Sequence, residues 1–488
     1  VLRLTFKSAG LVLLAYFLLF HGLADVGLLG PDEPRYASIG REMELTADWV
    51  TPRLWGDAWF EKPALLYWMT AAGFWAGLGD DLAPRLPVAV FSLLFLIFFQ
   101  RFLARQLGSR EAWYATAILA TSAGWIAFSR LCATDLPLSA SFGASLILLM
   151  GWIERGDRRL LLPAGVCLGI AILAKGLVPV VLAAPLVWYG RRRIKDLIAY
   201  GGFAALTAAP WYVLCALENG RPFLEEFFWR HQFARFYTSE LQHVQPFWFY
   251  LPVLAAGLVP WAPALVLLAR RHLWREPKTQ YLLVTALFGL VFFSASTNKL
   301  PGYLLPLFPL LAVGMGTGLA RAGRAGAVLA GSAALLGVIP VAAAVLPVAL
   351  RQGLSRAGWA GIDWPVLGLV APVVLAAFLL DRRQQRSAAV TLVATGAAAG
   401  VLYLVVVAFP VLDESVSARG LWREIEPNSD RVCVEPIHRT VRYGLNFYSM
   451  EPLPACADKD RPIHVKQKPG GPVYLEMRSG PATSFPLP

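Results

Sequence analysis

Residues 30–67 read GPDEPRYASIGREMELTADWVTPRLWGDAWFEKPALLY and follow directly on an apolar run, Leu11–Leu29. The stretch holds Asp32, Glu33, Arg35, Arg41, Glu42, Glu44, Asp48, Asp57, Glu61 and Lys62. Charges at this density cannot lie in hydrocarbon. Tyr36, Ile39, Met43, Trp49, Trp55, Trp59, Phe60 and Trp68 are threaded among them, unlike the residues of a solvated linker. Aromatic rings mixed with ionisable groups beside a membrane span predict an ordered loop at the interface. This loop is expected to form the floor of an active site.

Working outward, 57% of the 488 residues are apolar and only 16% are charged, the balance of a membrane protein. Apolar runs recur as far as Pro410 and divide into about thirteen spans of roughly 20 residues. They lie near 9–29, 84–104, 111–129, 134–153, 160–174, 176–190, 197–217, 247–269, 280–297, 301–320, 325–349, 364–380 and 387–410. Residues 64–79 are apolar but short and glycine-rich, which suits a surface-lying helix. The expected fold class is a polytopic α-helical membrane domain, residues 1–410, followed by a small soluble α/β domain, 411–488.

The net charge of +12 raises nucleic acid as a partner, but its distribution excludes it. Alternate loops carry Arg3 and Lys7; Arg105 and Arg110; Arg155, Arg158 and Arg159; Arg191, Arg192, Arg193 and Lys195. The series continues with Arg270, Arg271, Arg275 and Lys278; Arg321 and Arg324; Arg382, Arg383 and Arg386. This positive-inside pattern predicts a cytoplasmic N-terminus and an external C-terminal segment. Arg3 and Lys7 ahead of an apolar run resemble a signal peptide, but the run is long, so a retained first helix is expected. Cys132, Cys167 and Cys215 fall in or beside spans as small packing residues. Cys433 and Cys456 share the external segment, where they are either disulfide-bonded or two free thiols.

The topology gathers the remaining unusual polar residues on one face of the membrane. In the first external loop, 30–83, Asp32 is placed to cap a helix through Arg35, Tyr36, Ile39 and Met43, and Pro63 to open a second short helix. Glu61 and Lys62 then lie at a helix N-terminus, a position suited to anions. Arg130 and Asp135 in SRLCATDLPLS, Lys175 in LAKGLVP, and Asn298, Lys299 and Tyr303 in TNKLPGYLLPLFP mark further outer ends. A second large external loop, 218–246, contains FFWRHQF, and Trp59 and Trp229 are read as packing residues. Beyond residue 411, SARGLWREIE suits an amphipathic helix, and RVCVEP, IHVKQ and PVYLEM suit short strands leaning on the membrane part.

An external pocket of carboxylates, cations and aromatics beside a lipid-accessible bundle suits group transfer from a lipid phosphate carrier. Neither G-x-x-x-x-G-K-[ST] nor a clear G-x-G-x-x-G occurs, as expected for chemistry away from nucleotide-activated donors. Such transfer needs cations on the leaving phosphate and a carboxylate to align or deprotonate the attacking oxygen.

PDEPRYA, EKPALLYW, ATDLPL, FFWRHQF and NKLPGYLLPLFP together resemble the aminoarabinose transferases, within the GT-C polyprenyl-phosphate glycosyltransferases related to protein O-mannosyltransferases. The resemblance runs from residue 1 to about 320; the remainder matches in layout only. It implies a catalytic Asp32 with Asp135 as second acidic residue, and donor-phosphate contacts from Arg35, Lys62 and Tyr303. It also implies a divalent metal, zinc foremost, on Glu61 and His231. Lys175 and Lys299 are added from their place at the membrane edge. Plainer roles compete: an N-cap for Asp32, an ion pair with Arg130 for Asp135, and interface snorkelling for the lysines.

The expected function is inverting transfer of a sugar, 4-amino-4-deoxy-L-arabinose, from undecaprenyl phosphate to lipid A or a related envelope acceptor. The setting implied is a monomer among the lipids of the bacterial inner membrane, with its site and C-terminal domain in the periplasm. A protein or polysaccharide hydroxyl acceptor is the nearest alternative, and a lipid-glycan transporter the alternative of another class. Transporters place charge near the midplane and repeat their halves; here the charge gathers at one face, and neither DEPRY nor FEKP recurs.

Overall fold

The computed structural model describes residues 6–227, 229, 244–356, 358, 361–468 and 471–477. The chain is a polytopic helical membrane protein. Among the described residues eight helices are long and apolar enough to cross a bilayer, or nine if the bent pair Phe247–Gly257 and Ala262–Ala269 is one span. The other expected spans are present as shorter or broken helices, for local reasons. Ser109–Ala120 and Ala123–Ser129 are separated at Thr121 and Ser122, whose hydroxyls donate back to Ala117 O and Ile118 O. Leu161–Lys175 ends at Gly176, and the run after it is split by Pro179 and Pro185 into Val178–Leu182 and Pro185–Gly190.

Two helices sit almost wholly enclosed at the centre, Asp135–Arg155 and the segment Pro301–Ala320. Their outer ends carry Asp135 and Tyr303. Close packing around them uses glycine: a Cβ at Gly165 or Gly169 would fall 2.7 Å from Tyr200 O or Ala204 O of the long helix Ile194–Leu224. This is the small-xxx-small contact by which membrane helices approach closely. Trp364–Arg382, in contrast, is apolar and largely uncovered, a surface for hydrocarbon.

The first loop folds as two helices, Asp32–Thr46 and Leu65–Trp75, joined by a two-stranded ribbon, Arg53–Leu54 with Asp57–Ala58. The C-terminal segment builds a second apolar core in which Leu28, just ahead of this loop, and Ala37 within it pack with Leu421, Ile425, Val434 and Phe447. Its strands follow the sequence reading. Val432–Val434 runs parallel to Ile463–Gln467, which pairs antiparallel with Val473–Met477. The parallel step requires a crossover. That crossover contains a helix the sequence reading did not foresee, Arg439–Tyr448. The Cys433–Cys456 disulfide is formed.

Charged groups dock this segment onto the first loop. Arg41 donates to Phe447 O at 2.7 Å and to Asp80 at 2.7 Å, with its guanidinium 3.9 Å from the Phe447 ring centre. Arg419 pairs with Asp81 and Asp413, each at 2.7 Å, and donates to the carbonyls of Ala24 and Asp25. Tyr448 Oη donates to Asp81 at 2.7 Å and accepts from Leu28 N at 2.9 Å.

Candidate functional site

The first turn of the Asp32–Thr46 helix differs from the expected cap. Pro31 occupies the N-cap position and no side chain caps the helix. Asp32 lies inside the first turn, and its exposed carboxylate accepts from Arg35 Nη2 at 2.6 Å. The adjacent Glu33 is instead buried and accepts from Leu29 N at 2.9 Å. It also takes both forks of Arg85, at 3.0 and 2.7 Å, and Cys132 N at 2.8 Å. Two neighbouring carboxylates thus take opposite roles: one is fixed in the scaffold, the other offered to the surface.

From Asp32 the charges run on without a gap. Arg35 Nη2 also lies 3.1 Å from Glu61 Oε2, and Glu61 Oε1 accepts from Lys62 Nζ at 2.8 Å. Lys62 is only 8% exposed, so its ammonium is directed into the cluster rather than along the interface. Burial alone would lower the Arg35 pKa; Glu61 foremost, with Tyr36 and Asp32, raises it above its ordinary value. Burial, reinforced by Glu61, lifts the Tyr36 and Tyr67 phenols well above theirs, so both remain protonated. The Arg35 guanidinium is enclosed by the rings of Tyr36, Trp59 and Tyr443, at 5.2, 5.5 and 6.0 Å. Arg35 Nε, Trp59 Nε1 and Tyr67 Oη are nevertheless buried without a hydrogen-bond partner among the described residues. Donors buried in this way carry a desolvation cost.

A second cluster holds the other expected residues. Asp135 accepts from Lys175 Nζ at 2.6 Å, and that ammonium lies 5.0 Å from the Tyr303 ring centre. Asp135 therefore pairs with Lys175 rather than Arg130, which donates to the carbonyls of Leu18 and His21. Lys299 is buried and donates to Gln245 O at 3.0 Å and to Ser296 O. The clusters share a junction: Cys132, three residues before Asp135, is held by Glu33, one residue after Asp32. Thr70 adds a 3.5 Å contact to Cys132 Sγ.

The expected metal pair is half described. His231 lies outside the described residues. Glu61 Oε2 lies 3.1 Å from Arg35 Nη2 and Glu61 Oε1 lies 2.8 Å from Lys62 Nζ. Among the described residues Cys433, Cys456 and His464 bring ligand atoms within 4.8 Å. Their sulfurs are joined in the disulfide and present no thiolate, and both His464 ring nitrogens lie 2.9 Å from carboxylates of Glu435 and Asp460. No step is routed through a metal.

Sequence reasoning missed Arg85, Arg41, Tyr67 and Tyr443. Glu33 and Arg85 carried a signal, a carboxylate in DEPRY and an arginine opening a span in APRLPV, but their pairing is visible only in the fold.

Comparison with known proteins places the chain and its fold. Residues 5–256 match the family described as Dolichyl-phosphate-mannose-protein mannosyltransferase. The chain is 36% identical over 329 residues, 63% of its length, to undecaprenyl phosphate-alpha-4-amino-4-deoxy-L-arabinose arabinosyl transferase 2 of Pseudomonas fluorescens. It is 35% identical over 340 residues, 66% of its length, to the corresponding transferase of Pseudomonas aeruginosa. The matches span only 55% and 61% of those two relatives. The crystal structure of ArnT from Cupriavidus metallidurans bound to undecaprenyl phosphate superposes with a TM-score of 0.73 at 25% identity, covering 95% of this chain and 87% of that one. A family match over more than half of the chain, ending in the same fold, places this protein in the dolichyl-phosphate-mannose-protein mannosyltransferase family.

Proposed function

We propose that the protein is a polyprenyl-phosphate-dependent glycosyltransferase. It moves a sugar, 4-amino-4-deoxy-L-arabinose, from undecaprenyl phosphate to a lipid A phosphate or a related envelope acceptor. The observation that carries this reading is the continuous array Asp32–Arg35–Glu61–Lys62, an exposed carboxylate beside a half-buried arginine and a buried lysine. The names of the Pseudomonas relatives supply the sugar and carrier.

In this mechanism Arg35 and Lys62 hold the donor phosphate, with Lys175, Tyr303 and Lys299 on its approach and Asp135 setting the position of Lys175. The acceptor oxygen attacks the anomeric carbon from the face opposite the phosphate. The bond from that carbon to the phosphate oxygen breaks, its electron pair leaves on the phosphate, and configuration inverts. Arg35 and Lys62 stabilise the negative charge that develops. An acceptor phosphate is already anionic, and Asp32 then orients it; a hydroxyl acceptor instead delivers its proton to Asp32. The site and C-terminal segment face the periplasm from the inner membrane, the N-terminus lies in the cytoplasm, and the protein works as a monomer.

Mass spectrometry of envelope lipids from cells with and without the protein tests this. A lipid A mass increment of one aminopentose, present only with the protein, is expected. An increment on protein or polysaccharide would move the acceptor to a hydroxyl. No change in any envelope glycoconjugate would overturn the transferase reading.

A further inference from the structure

We infer that Tyr443 is an acceptor-positioning residue, and that with Trp55 it forms an aromatic wall against which a saccharide ring of the acceptor stacks beside Arg35 and Asp32. This rests on the transferase reading and adds a contact from outside the family-matched stretch, which ends at residue 256. Tyr443 lies one turn before Phe447 on the Arg439–Tyr448 helix. Arg41 clamps Phe447, which fixes Tyr443 over the Asp32–Thr46 helix.

The half-buried Tyr443 ring touches two groups at once. It lies 5.6 Å from the Trp55 ring and 6.0 Å from the Arg35 guanidinium carbon. Trp55 is also a wall of a cleft of about 360 Å³, shared by Ser38, Glu42 and Gly56 of the first loop with Met450 and Glu451 of the C-terminal segment. That volume falls within the ~300–1,000 Å³ range of small-molecule sites. Trp55 Nε1, like Arg35 Nε and Trp59 Nε1, is buried without an acceptor among the described residues. Aromatic faces beside the Arg35–Asp32 ion pair suit a sugar, whose ring has apolar faces and whose hydroxyls both donate and accept.

The test uses the purified full-length protein, with undecaprenyl-phosphate donor and lipid A acceptor in detergent titrated separately. Tyr443→Ala is expected to raise the acceptor KM about tenfold, with a smaller rise in donor KM through Arg35 and kcat at saturation held, and Tyr443→Phe to restore most of the loss. Equal melting temperatures for the two variants separate lost positioning from lost docking. An unchanged acceptor KM in Tyr443→Ala, an equal rise in donor KM, or a Phe variant no better than Ala would each overturn the inference. An inactive wild type overturns the transferase reading along with it, whereas an active wild type indifferent to Tyr443 overturns only this one.

Discussion

Glu33 and Arg85 form a buried two-point ion pair, Oε1 to Nε at 3.0 Å and Oε2 to Nη2 at 2.7 Å. The rest of the Arg85 guanidinium is spent on the carbonyls of Leu23, Val26 and Gly27. One arginine therefore fixes the turn that leads into the first loop. Removing one partner leaves a buried charge unpaired, at a cost of ~3–5 kcal/mol. Glu33→Met and Arg85→Met should each lower the melting temperature in detergent markedly. The double change Glu33→Met with Arg85→Met should cost less than the sum of the single ones. Single variants melting like the wild type would show that this pair does not hold the loop.

Asp32 is predicted to behave in the opposite way. Its carboxylate is exposed, and Arg35 keeps Glu61 as a partner when it is removed. Asp32→Asn should therefore leave melting and polyprenyl-phosphate binding intact while turnover onto a hydroxyl acceptor falls by about 10²–10⁴. With a phosphate acceptor the loss should be smaller, since no proton has to move. Full turnover of Asp32→Asn on a hydroxyl acceptor would remove it as the base.

Gly302 is required by the second cluster. A Cβ there would fall 2.6 Å from Asp135 Oδ1 and 2.8 Å from the Phe128 ring. Gly302→Ala should push Asp135 off Lys175 and cost ~1–3 kcal/mol, read as a raised donor KM. Combined with Asp135→Asn the effects should not add, because both act through one contact. Additive losses would mean that Gly302 acts elsewhere.

The docking of the C-terminal segment should weaken in alkali. Burial first, and then the charge of Asp81, raise the Tyr448 pKa above its ordinary value. A phenol with a raised folded-state pKa is favoured neutral in the fold. Its contribution is complete below the unfolded value, ~10, and is lost as pH rises beyond it, because the unfolded chain then releases its proton first. Unfolding of the C-terminal segment, followed by proteolysis or tryptophan fluorescence, should show a stability decline above about pH 10 that Tyr448→Phe flattens. A decline of the same size in the variant would assign it to other groups.

The membrane class could be read from the recurring apolar runs and the polar loop from residues 30–67, because hydropathy and charge are properties of short windows. The same holds for the strands at 432–434, 463–467 and 473–477, where alternation and β-branching are local signals. The helix Arg439–Tyr448 was not read from HRTVRYGLNFYS, where the central Gly444 is a local helix breaker. Asp32 was legible as an important residue but not as a surface carboxylate. Only the fold shows that Glu33, its neighbour, takes the buried place. Single-window reasoning also joined broken helices into whole spans, since the hydroxyls of Thr121 and Ser122 bend a backbone without making it less apolar.

The clasp of Arg41 on Phe447 bears on biosynthesis. The carboxylates and cations of the array are threaded early, whereas the aromatic lid beside them leaves the ribosome some four hundred residues later. A nascent chain stalled before residue 439 would hold a charged array with an open roof. Closure of the aromatic face over Arg35 is thus deferred until the last segment has been synthesised and has docked.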